Sequence, residues 1–499
     1  MRIGTSKASR EMDRVCIEKI KIPGIVLMEN AALKVVKNID MNEIDSFVLV
    51  CGKGNNGGDG FAIARHLHIQ GKKVQVFLVG NTEGLTHDCM VNYCIVSNLG
   101  ITISKINNIS DLDYLRNCIS TSGMVIDCLF GTGLTRKVEG IYEQVISIIN
   151  ENSPCTLSVD VPSGINSDNG QVMGICVKAH KTVSFQIYKS GFLKYSSSKF
   201  IGQVIVENIG IPSKVIEEIC PSEFILDKDF IKKTIKVRDK HSNKGDFGRA
   251  LIISGSEGFT GAAYISAETA VRSGTGLVTL ACPKDIQSIL SCKLTEAMTV
   301  NFTEKEKIQE IVSRAKSIAI GPGMGNSIET LSILEKIIKT SKCPIVVDAD
   351  AINVLQNHKD LIKEASNTLV FTPHPGEMSR LTALNIEDIN ENRIAIAKKF
   401  ALENNVIVLL KGYNTVITDG NSTFINSTGN SAMANGGMGD CLTGLITSFI
   451  AQGYTSLEAT YLAAYIHGYC GDKLSSKMFC VNAKHIMDYI PYAIKEIIQ

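Results

Sequence analysis

The segment GKGNNGGDG (52–60) has the residue types of an anion site, with five glycines in nine residues. Glycine lets backbone N–H groups approach a ligand closely, and the start of a helix favours negative charge. Because G-x-G-x-x-G fits only as Gly52, Gly54 and Gly57, the segment differs from the usual dinucleotide fingerprint, and its Asn side chains could coordinate a ligand directly. The alternative interpretation is a tight turn in which Asn-Gly supplies positive φ.

Aspartates follow two further predicted strands in this half. The segment 127–140 begins with Asp127 and continues as a glycine-rich loop, and SVDVPSG (158–164) carries Asp160 and Ser163. The carboxyl ends of parallel strands face one crevice, so these side chains and the glycine-rich segment can converge on one ligand. One polar strand end could be a cap, whereas three together predict a site.

In the second half, ANGGMGDCLTG (434–444) brings glycines to the start of an apolar helix predicted over 442–453. Consecutive N–H groups there can hold the oxygens of a transferring phosphate, and Asp440 can accept a hydroxyl proton. The alternative is that Asp440 is an ordinary acid at a helix start, favoured by the helix dipole. A lone histidine is also more often a surface or core residue than a ligand contact. Further predicted strand ends supply Lys411 with Gly412, the turn IGPGMG (320–325), and His374 with Glu377.

These segments lie in a regular alternation of strands and helices. A strand at 46–52, a helix at 59–71 and a strand at 72–80 form a βαβ unit, which predicts a parallel sheet. A hairpin is predicted after Lys411. Further strands are predicted at 124–131, 156–164, 182–191, 248–256, 276–283, 316–323, 343–350, 367–375 and 406–412, and further helices near 140–150 and at 261–274.

A length of 499 residues predicts about two to four domains. The regular spacing of predicted strands is interrupted between 211 and 240, so we predict two α/β domains, at 1–215 and 226–499. Lys and Arg (51) nearly balance Asp and Glu (50), so no overall field favours nucleic acid or an anionic membrane. Scattered cysteines without a C-x-x-C pair, and no signal or membrane-spanning segment, predict a cytoplasmic protein with buried thiols.

The motifs GNNGGDG, D-x-L-F-G-T-G and V-D-V-P-S-G, in this order, resemble the epimerase domain of the NAD(P)H-hydrate repair system over roughly residues 1–212. The resemblance implies a Rossmann-like three-layer domain that interconverts the R and S epimers of NADHX and NADPHX, which are reduced nicotinamide cofactors hydrated at C6. It also implies K⁺ held by Asn56, Asp127 and Ser163, and Asp160 is the candidate proton shuttle. The implied substrate-binding residues are Asn55, Asn56, Gly57, Gly58, Asp59, Gly131, Thr132, Gly133, Leu134, Thr135, Arg136, Lys137, Tyr142 and Asp160.

The segments 411–420 and 434–444, with the two other strand ends, resemble the ribokinase-like ADP/ATP-dependent NAD(P)H-hydrate dehydratase over about residues 226–499. The resemblance implies that Asp440 deprotonates the C6 hydroxyl, which takes the terminal phosphate of ADP and leaves AMP. Loss of phosphate then restores NAD(P)H. Mg²⁺ would bridge the phosphates, and Glu377 could position it through water. The implied residues are Gly261, Ala262, Gly323, His374 and Asp440 for the substrate, and Lys411, Gly412, Tyr413, Asn414, Thr415 and Gly439 for the nucleotide.

The pairing of both domains in one chain is typical of bifunctional bacterial repair enzymes. It implies NADHX, NADPHX and ADP as small-molecule partners, and we also expect a homo-oligomer. One alternative is a ribokinase-like kinase of a vitamin precursor, which would release a phosphorylated product. Another is that the first half is a non-catalytic Rossmann-like binding or scaffold module. Intact Asn56, Asp127 and Asp160 argue against this second alternative.

Overall fold

Two β-sheets, each packed against helices, organise the chain in a computed structural model that describes residues 1–499. The chain divides into Met1–Pro221, here called unit 1, and Ser222–Gln499, here called unit 2. Each unit has its own sheet and its own hydrophobic core. Both units are α/β, so the predicted fold class is confirmed.

Unit 1 is built around a seven-stranded parallel sheet, and a separate ribbon of two short strands lies at its N-terminus. Its strands are β1 Ile3–Gly4, β2 Ser46–Cys51, β3 Lys73–Val79, β4 Ile103–Ile106, β5 Met124–Cys128, β6 Thr156–Val159, β7 Lys181–Phe185, β8 Tyr188–Lys189 and β9 Gln203–Glu207. Its helices are α1 Ser6–Arg14, α2 Gly24–Lys37, α3 Asn55–Ile69, α4 His87–Asn98, α5 Leu112–Thr121, α6 Ile141–Asn152, α7 Ser198–Ile201 and α8 Ser213–Ile219, with a π-helix at Val15–Ile20.

The strand order of this sheet, β4-β3-β2-β5-β6-β7-β9, reverses beside β2. From β2 the chain first builds outward through β3 and β4, and then returns to add β5 on the other side. Ligands of open α/β sheets bind at the carboxyl ends of strands beside such a reversal. The neighbouring strands β2, β5 and β6 therefore bring together the three strand ends that the sequence singled out.

Unit 2 contains a ten-stranded sheet. Its strands are β10 Glu223–Ile225, β11 Arg249–Ile253, β12 Leu277–Cys282, β13 Met298–Asn301, β14 Ser317–Ile320, β15 Ile345–Val347, β16 Leu369–Phe371, β17 Ile407–Leu410, β18 Thr415–Thr418 and β19 Thr423–Asn426. Its helices are α9 Lys228–Thr234, α10 Thr260–Arg272, α11 Lys284–Lys293, α12 Lys305–Arg314, α13 Ile328–Thr340, α14 Asp350–Val354, α15 Asp360–Glu364, α16 Pro375–Thr382, α17 Ile386–Glu391, α18 Arg393–Asn404, α19 Met438–Ala451, α20 Ser456–Ser475 and α21 Ala483–Ile498.

The order in unit 2 is β10-β19-β18-β17-β16-β15-β14-β11-β12-β13, and it reverses between β11 and β14. Only β18 runs antiparallel to its neighbours, which confirms the predicted hairpin. Helix α19 is buried from Cys441 to Ala451 and packs against α10. Gly444 permits this close approach, because a Cβ there would lie 2.3 Å from the Ser266 carbonyl oxygen.

Two helices begin earlier than the sequence indicated. Helix α3 begins at Asn55 and not at Asp59, and α19 begins at Met438 and not at Leu442. Glycine and asparagine are poor helix formers, so the sequence pattern places such residues in a loop, whereas close packing overrides that preference. The alternative of an Asn-Gly turn with positive φ is wrong, because none of residues 52–60 has a positive φ.

The sequence also predicted buried free thiols and no membrane-spanning segment. All fifteen cysteines are free, and most are buried, as predicted. None of the helices is both long enough and apolar enough to span a membrane.

Because each unit has its own sheet and core, we expect each to fold without the other. Polypeptides covering residues 1–221 and 222–499 should both be soluble and should each unfold in one cooperative transition. Circular dichroism followed during heating measures this. A piece that shows no cooperative transition would contradict the prediction.

Candidate active sites

The carboxyl ends of the central strands of unit 1 border a cavity of about 650 Å³. Side chains from the start of α3, from the loop after β5 and from the end of β6 form much of its wall. The predicted substrate residues that line it are Asn55, Asn56, Asp59, Gly131, Thr132, Gly133, Leu134, Thr135, Arg136, Tyr142 and Asp160.

Three predicted substrate residues lie outside this lining. A Cβ on Gly57 would lie 1.9 Å from the Gly52 carbonyl oxygen, and one on Gly58 would lie 2.7 Å from the Met28 side chain. Gly57 brings α3 against the end of β2, and Gly58 brings it against Met28 of α2. This packing carries the Asn and Asp side chains of α3 to the cavity. Lys137 instead forms an ion pair with Glu139, with 3.1 Å between Nζ and Oε1.

Asp127, at the end of β5, is fully buried beneath the cavity wall. Burial raises the pKa of its carboxyl group, and the hydrogen bonds that it accepts act in the opposite direction. The donors are the Ser163 hydroxyl at 2.5 Å, the Ser158 hydroxyl at 2.8 Å, the Ser163 amide at 2.9 Å and the Leu129 amide at 3.3 Å.

Asn56 provides an unsatisfied oxygen. Its side-chain Nδ2 donates to the Val159 carbonyl oxygen at 2.9 Å. Its Oδ1 is buried and accepts no hydrogen bond. A buried amide oxygen without a donor is costly unless a ligand or cation occupies the place of the donor, and amide oxygens are suitable ligands for hard cations.

Carboxyl groups dominate the electrostatics of the same cavity. Asp160 follows β6 and pairs with Lys189, with 3.1 Å between Oδ1 and Nζ. Burial, together with the charges of Asp160 and Asp13, raises the pKa of Asp59 well above its usual range. Burial and the charge of Asp160 raise the pKa of Asp13 to about 6, while Lys189 acts in the opposite direction.

In unit 2, a cavity of about 490 Å³ lies at the end of β17 and beside the start of α19. Every residue predicted to bind nucleotide belongs to its lining: Lys411, Gly412, Tyr413, Asn414, Thr415 and Gly439.

Asp348, at the end of β15, orients the lysine of this cavity. Its Oδ1 accepts a 2.6 Å hydrogen bond from Lys411 Nζ, and its Oδ2 accepts one of 2.6 Å from the Thr443 hydroxyl. A Cβ on Gly439 would lie 3.3 Å from Lys411 Nζ. The ammonium group is therefore fixed beside the first turn of α19, where backbone amides and the helix dipole also favour an anion.

Asp440 is the third residue of α19 and not its cap. The N-cap is Gly437, at φ +89°, and no side chain caps this helix. Asp440 nevertheless lies in the first turn, where the helix dipole favours an acid, as the alternative interpretation expects. Burial and the charge of Asp348 raise the pKa of Asp440 to about 6, while Lys411 acts in the opposite direction. Asp440 is thus an ionised carboxylate at neutral pH that binds a proton more readily than an exposed Asp.

His374 and Glu377 cap helix α16. His374 Nδ1 accepts from the amides of Gly376 at 3.0 Å and Glu377 at 3.3 Å, and the Glu377 carboxylate accepts from the His374 amide at 2.8 Å. Elsewhere at this sheet edge, a Cβ on Gly323 would lie 3.0 Å from that of Ala262. The structure thus places the predicted substrate residues Gly323 and Ala262 in contact. His374 has a structural role as the N-cap of α16.

Comparisons with known proteins agree with both halves of this description. Residues 24–191 match the family described as YjeF-related protein N-terminus, and residues 250–492 match the family described as NAD(P)H-hydrate dehydratase. The chain is 35% identical to a bifunctional NAD(P)H-hydrate repair enzyme of Moorella thermoacetica, over 100% of this chain and 97% of that one. The chain belongs to the bifunctional NAD(P)H-hydrate repair enzymes.

Another relative of this family, from Thermofilum pendens, is 33% identical over 99% of this chain and 96% of its own length. Among solved structures, a ribokinase-like superfamily protein of Enterococcus faecalis is 30% identical, with a TM-score of 0.51. It covers 55% of this chain and 96% of its own. The family inferred from the sequence motifs is therefore confirmed, and so is the ribokinase-like architecture.

Within this repair-enzyme fold, sequence reasoning missed four polar residues near the sites. Asp348 follows a predicted strand in CPIVVDAD, so the criterion that selected Asp160 would also have found it. Thr443, Asp13 and Lys189 carry no such signal. Asp13 comes from α1, and Lys189, which pairs with Asp160, comes from β8, which pairs with β1.

The packing of α3 predicts that Gly57→Ala destabilises unit 1. The added methyl group would meet the Gly52 carbonyl oxygen at 1.9 Å, and overpacking of this kind costs about 1–3 kcal/mol. Gly133→Ala is the matched control, because no atom lies within 4 Å of its Cβ position. Thermal unfolding of both variants measures the difference, and equal transition temperatures would refute the packing argument.

Proposed function

We propose that unit 2 dehydrates the S epimer of NADHX and NADPHX with ADP, and that unit 1 interconverts the R and S epimers. The placement of Asp440 carries this proposal. Asp440 directly follows Gly439, which lines a cavity together with all the other predicted nucleotide residues, and the charge of Lys411 acts on Asp440. The names of the full-length relatives support the same pair of activities.

In unit 2, Asp440 takes the proton of the C6 hydroxyl as its oxygen attacks the terminal phosphorus of ADP. The bond from that phosphorus to the bridging oxygen breaks, and AMP leaves. Lys411 and the first amides of α19 face the negative oxygens of the transferred group. Phosphate then leaves C6 while a proton leaves C5, which restores the ring double bond of NAD(P)H.

Mg²⁺ belongs to this proposal as the companion of ADP, and when bound it neutralises phosphate charge. In the chain, no group of three or more His, Cys, Asp or Glu side chains could hold a metal ion. Phosphate oxygens and water would therefore be its main ligands, as is common for Mg²⁺.

In unit 1, Asp160 carries the proton for epimerisation. Asp160 in its protonated form gives its proton to the C6 hydroxyl, which leaves as water while the ring nitrogen forms a C=N⁺ bond. Water then adds to the opposite face and returns the proton. K⁺ fits the buried Oδ1 of Asn56, which has no donor, beside the buried carboxylate of Asp127. With Ser163, these residues would hold the ion, which would supply a fixed positive charge there.

The direct test is recovery of NADH from mixed-epimer NADHX with ADP and Mg²⁺, followed by absorbance and by release of free phosphate. Asp440→Asn should lower the turnover of S-NADHX about 10²–10⁴-fold, because it removes the proton acceptor while leaving the nucleotide cavity in place. ADP binding, measured by calorimetry, should be retained. A vitamin-precursor kinase would instead release a phosphorylated product and no NADH.

The same variant gives a pH test. Asp440 acts in its ionised form, and its pKa lies at about 6. The kcat/KM of dehydration should therefore fall about tenfold per pH unit below that value and level off above it. The residual activity of Asp440→Asn should lack this titration. An unchanged profile in the variant would assign the base to another residue.

Asp127→Asn tests the cation site of unit 1. The change keeps the size of the side chain but sets an NH₂ group against hydroxyl and amide donors. Epimerisation, measured by chromatographic separation of the R and S forms, should weaken about 10–100-fold. Dehydration of S-NADHX should be unchanged. Replacing K⁺ by tetramethylammonium should slow epimerisation by the wild-type chain, and equal loss of both activities would contradict the separation of the sites.

A further inference from the structure

The backbone at Asp160 is strained. Its φ is +64°, and the Val161 amide donates to the Val159 carbonyl oxygen at 2.8 Å, which closes a γ-turn around it. The adjacent strand β7 ends in the same way at Gln186, with φ +64°. A non-glycine residue in such a turn is unfavourable, so the surrounding structure must enforce it.

Lys189 lies directly behind this turn. Its side chain is 2% exposed, its Nζ lies 3.1 Å from Asp160 Oδ1, and it donates to the Phe185 carbonyl oxygen at 3.0 Å. The Ser184 hydroxyl also donates to Oδ1, at 3.4 Å. A buried ammonium group is unfavourable unless it is paired. Lys189 Nζ therefore depends on its two partners, the Asp160 carboxylate oxygen and the Phe185 carbonyl oxygen.

The other oxygen of Asp160 faces the cavity wall. Oδ2 lies 3.5 Å from the point where a Cβ on Gly131 would stand, and Asn56 Nδ2 lies 3.4 Å from the same point. No hydrogen bond from the chain holds Oδ2, whereas Oδ1 has two partners. The protein therefore holds Oδ1 of this carboxylate, whereas Oδ2 is available to a ligand.

We propose that Lys189 is a positioning residue for epimerisation, which anchors Oδ1 of Asp160 so that Oδ2 meets the C6 hydroxyl of the substrate. The inference rests on the proposed epimerase activity of unit 1 and adds to it the residue that orients the proton carrier. Lys189 does not contact substrate in this arrangement. Its effect on the rate passes entirely through Asp160, and the strained turn brings the two side chains together.

The test compares Lys189→Met, Lys189→Arg, Asp160→Asn and the double variant Asp160→Asn with Lys189→Met, in the full chain on mixed-epimer NADHX. Lys189→Met should lower the kcat of epimerisation about 100-fold with little change in KM, because a misplaced catalytic group costs rate and not binding. Lys189→Arg should recover most of that loss. The double variant should be no slower than Asp160→Asn alone, because both changes remove the same function.

Two controls separate positioning from general damage. Lys181→Met removes a partly buried lysine at the other end of β7, where it donates to the Asn38 carbonyl oxygen at 3.0 Å, and it should leave epimerisation unchanged. Dehydration of S-NADHX by unit 2 serves as the internal standard for protein concentration. Thermal unfolding of each variant shows whether unit 1 remains folded.

Wild-type rates in Lys189→Met, or losses that multiply in the double variant, would overturn the proposal. If Lys189→Met does not fold, Lys189→Arg decides. A folded Arg variant as slow as Asp160→Asn overturns the proposal, and an Arg variant near the wild-type rate supports it. A wild-type chain that leaves the R and S forms unchanged would instead refute the proposed epimerase activity itself.

Discussion

Parallel strands deliver the residues that follow them to one edge of a sheet, and both sites of this chain depend on that constraint. In unit 1 the ends of β2, β5 and β6 bring Asn56, Asp127 and Asp160 to neighbouring positions. In unit 2 the ends of β15 and β17 do the same for Asp348 and Lys411. In unit 1 the order reverses beside β2, and the polar side chains collect at that reversal. In unit 2 the order reverses between β11 and β14, whereas Asp348 and Lys411 follow β15 and β17, farther along the sheet.

Each site also contains a buried ion pair between an aspartate and a lysine, and the two pairs differ in an informative way. Asp348 uses both carboxylate oxygens on protein donors, and one of them holds Lys411 in place. Asp160 uses only Oδ1, so its Oδ2 remains available. The same chemical pair thus orients a cation in unit 2 and a carboxylate in unit 1. Both arrangements require burial, because exposed ion pairs are weak and mobile.

Glycine has a packing role in both units that is as important as its freedom of φ. Gly57 allows α3 to start against the end of β2, and Gly444 allows α19 to pack closely against α10. A side chain at either position would push the helix away from its partner. The functional residues at the helix starts, Asn56 and Asp440, would move with it. The stability of the packing and the geometry of the sites are therefore set by the same contacts.

The sequence by itself determined the fold class and the family, and it named eleven residues that line the cavity of unit 1 and six that line the cavity of unit 2. Short continuous apolar runs, helical stretches between them and glycine-rich strand ends are local features, and local features can be read from the chain. For the same reason Asp160 and Asp440 were recognisable, since each follows a strand or opens a helix within a distinctive segment.

The tertiary structure alone decided which groups surround those residues. Lys189, which contacts Asp160, lies in a two-residue strand, β8, that pairs with the N-terminal strand β1, and no local pattern encodes either the pairing or the contact. The early starts of α3 and α19 oppose the helix propensity of their glycines and follow from packing. The raised pKa of Asp440 results from burial beside Asp348, a residue far away in the chain. Such contacts cannot be read from the sequence, because they join residues that are far apart in the chain. They are stabilised by the packing of the whole core and not by any single segment.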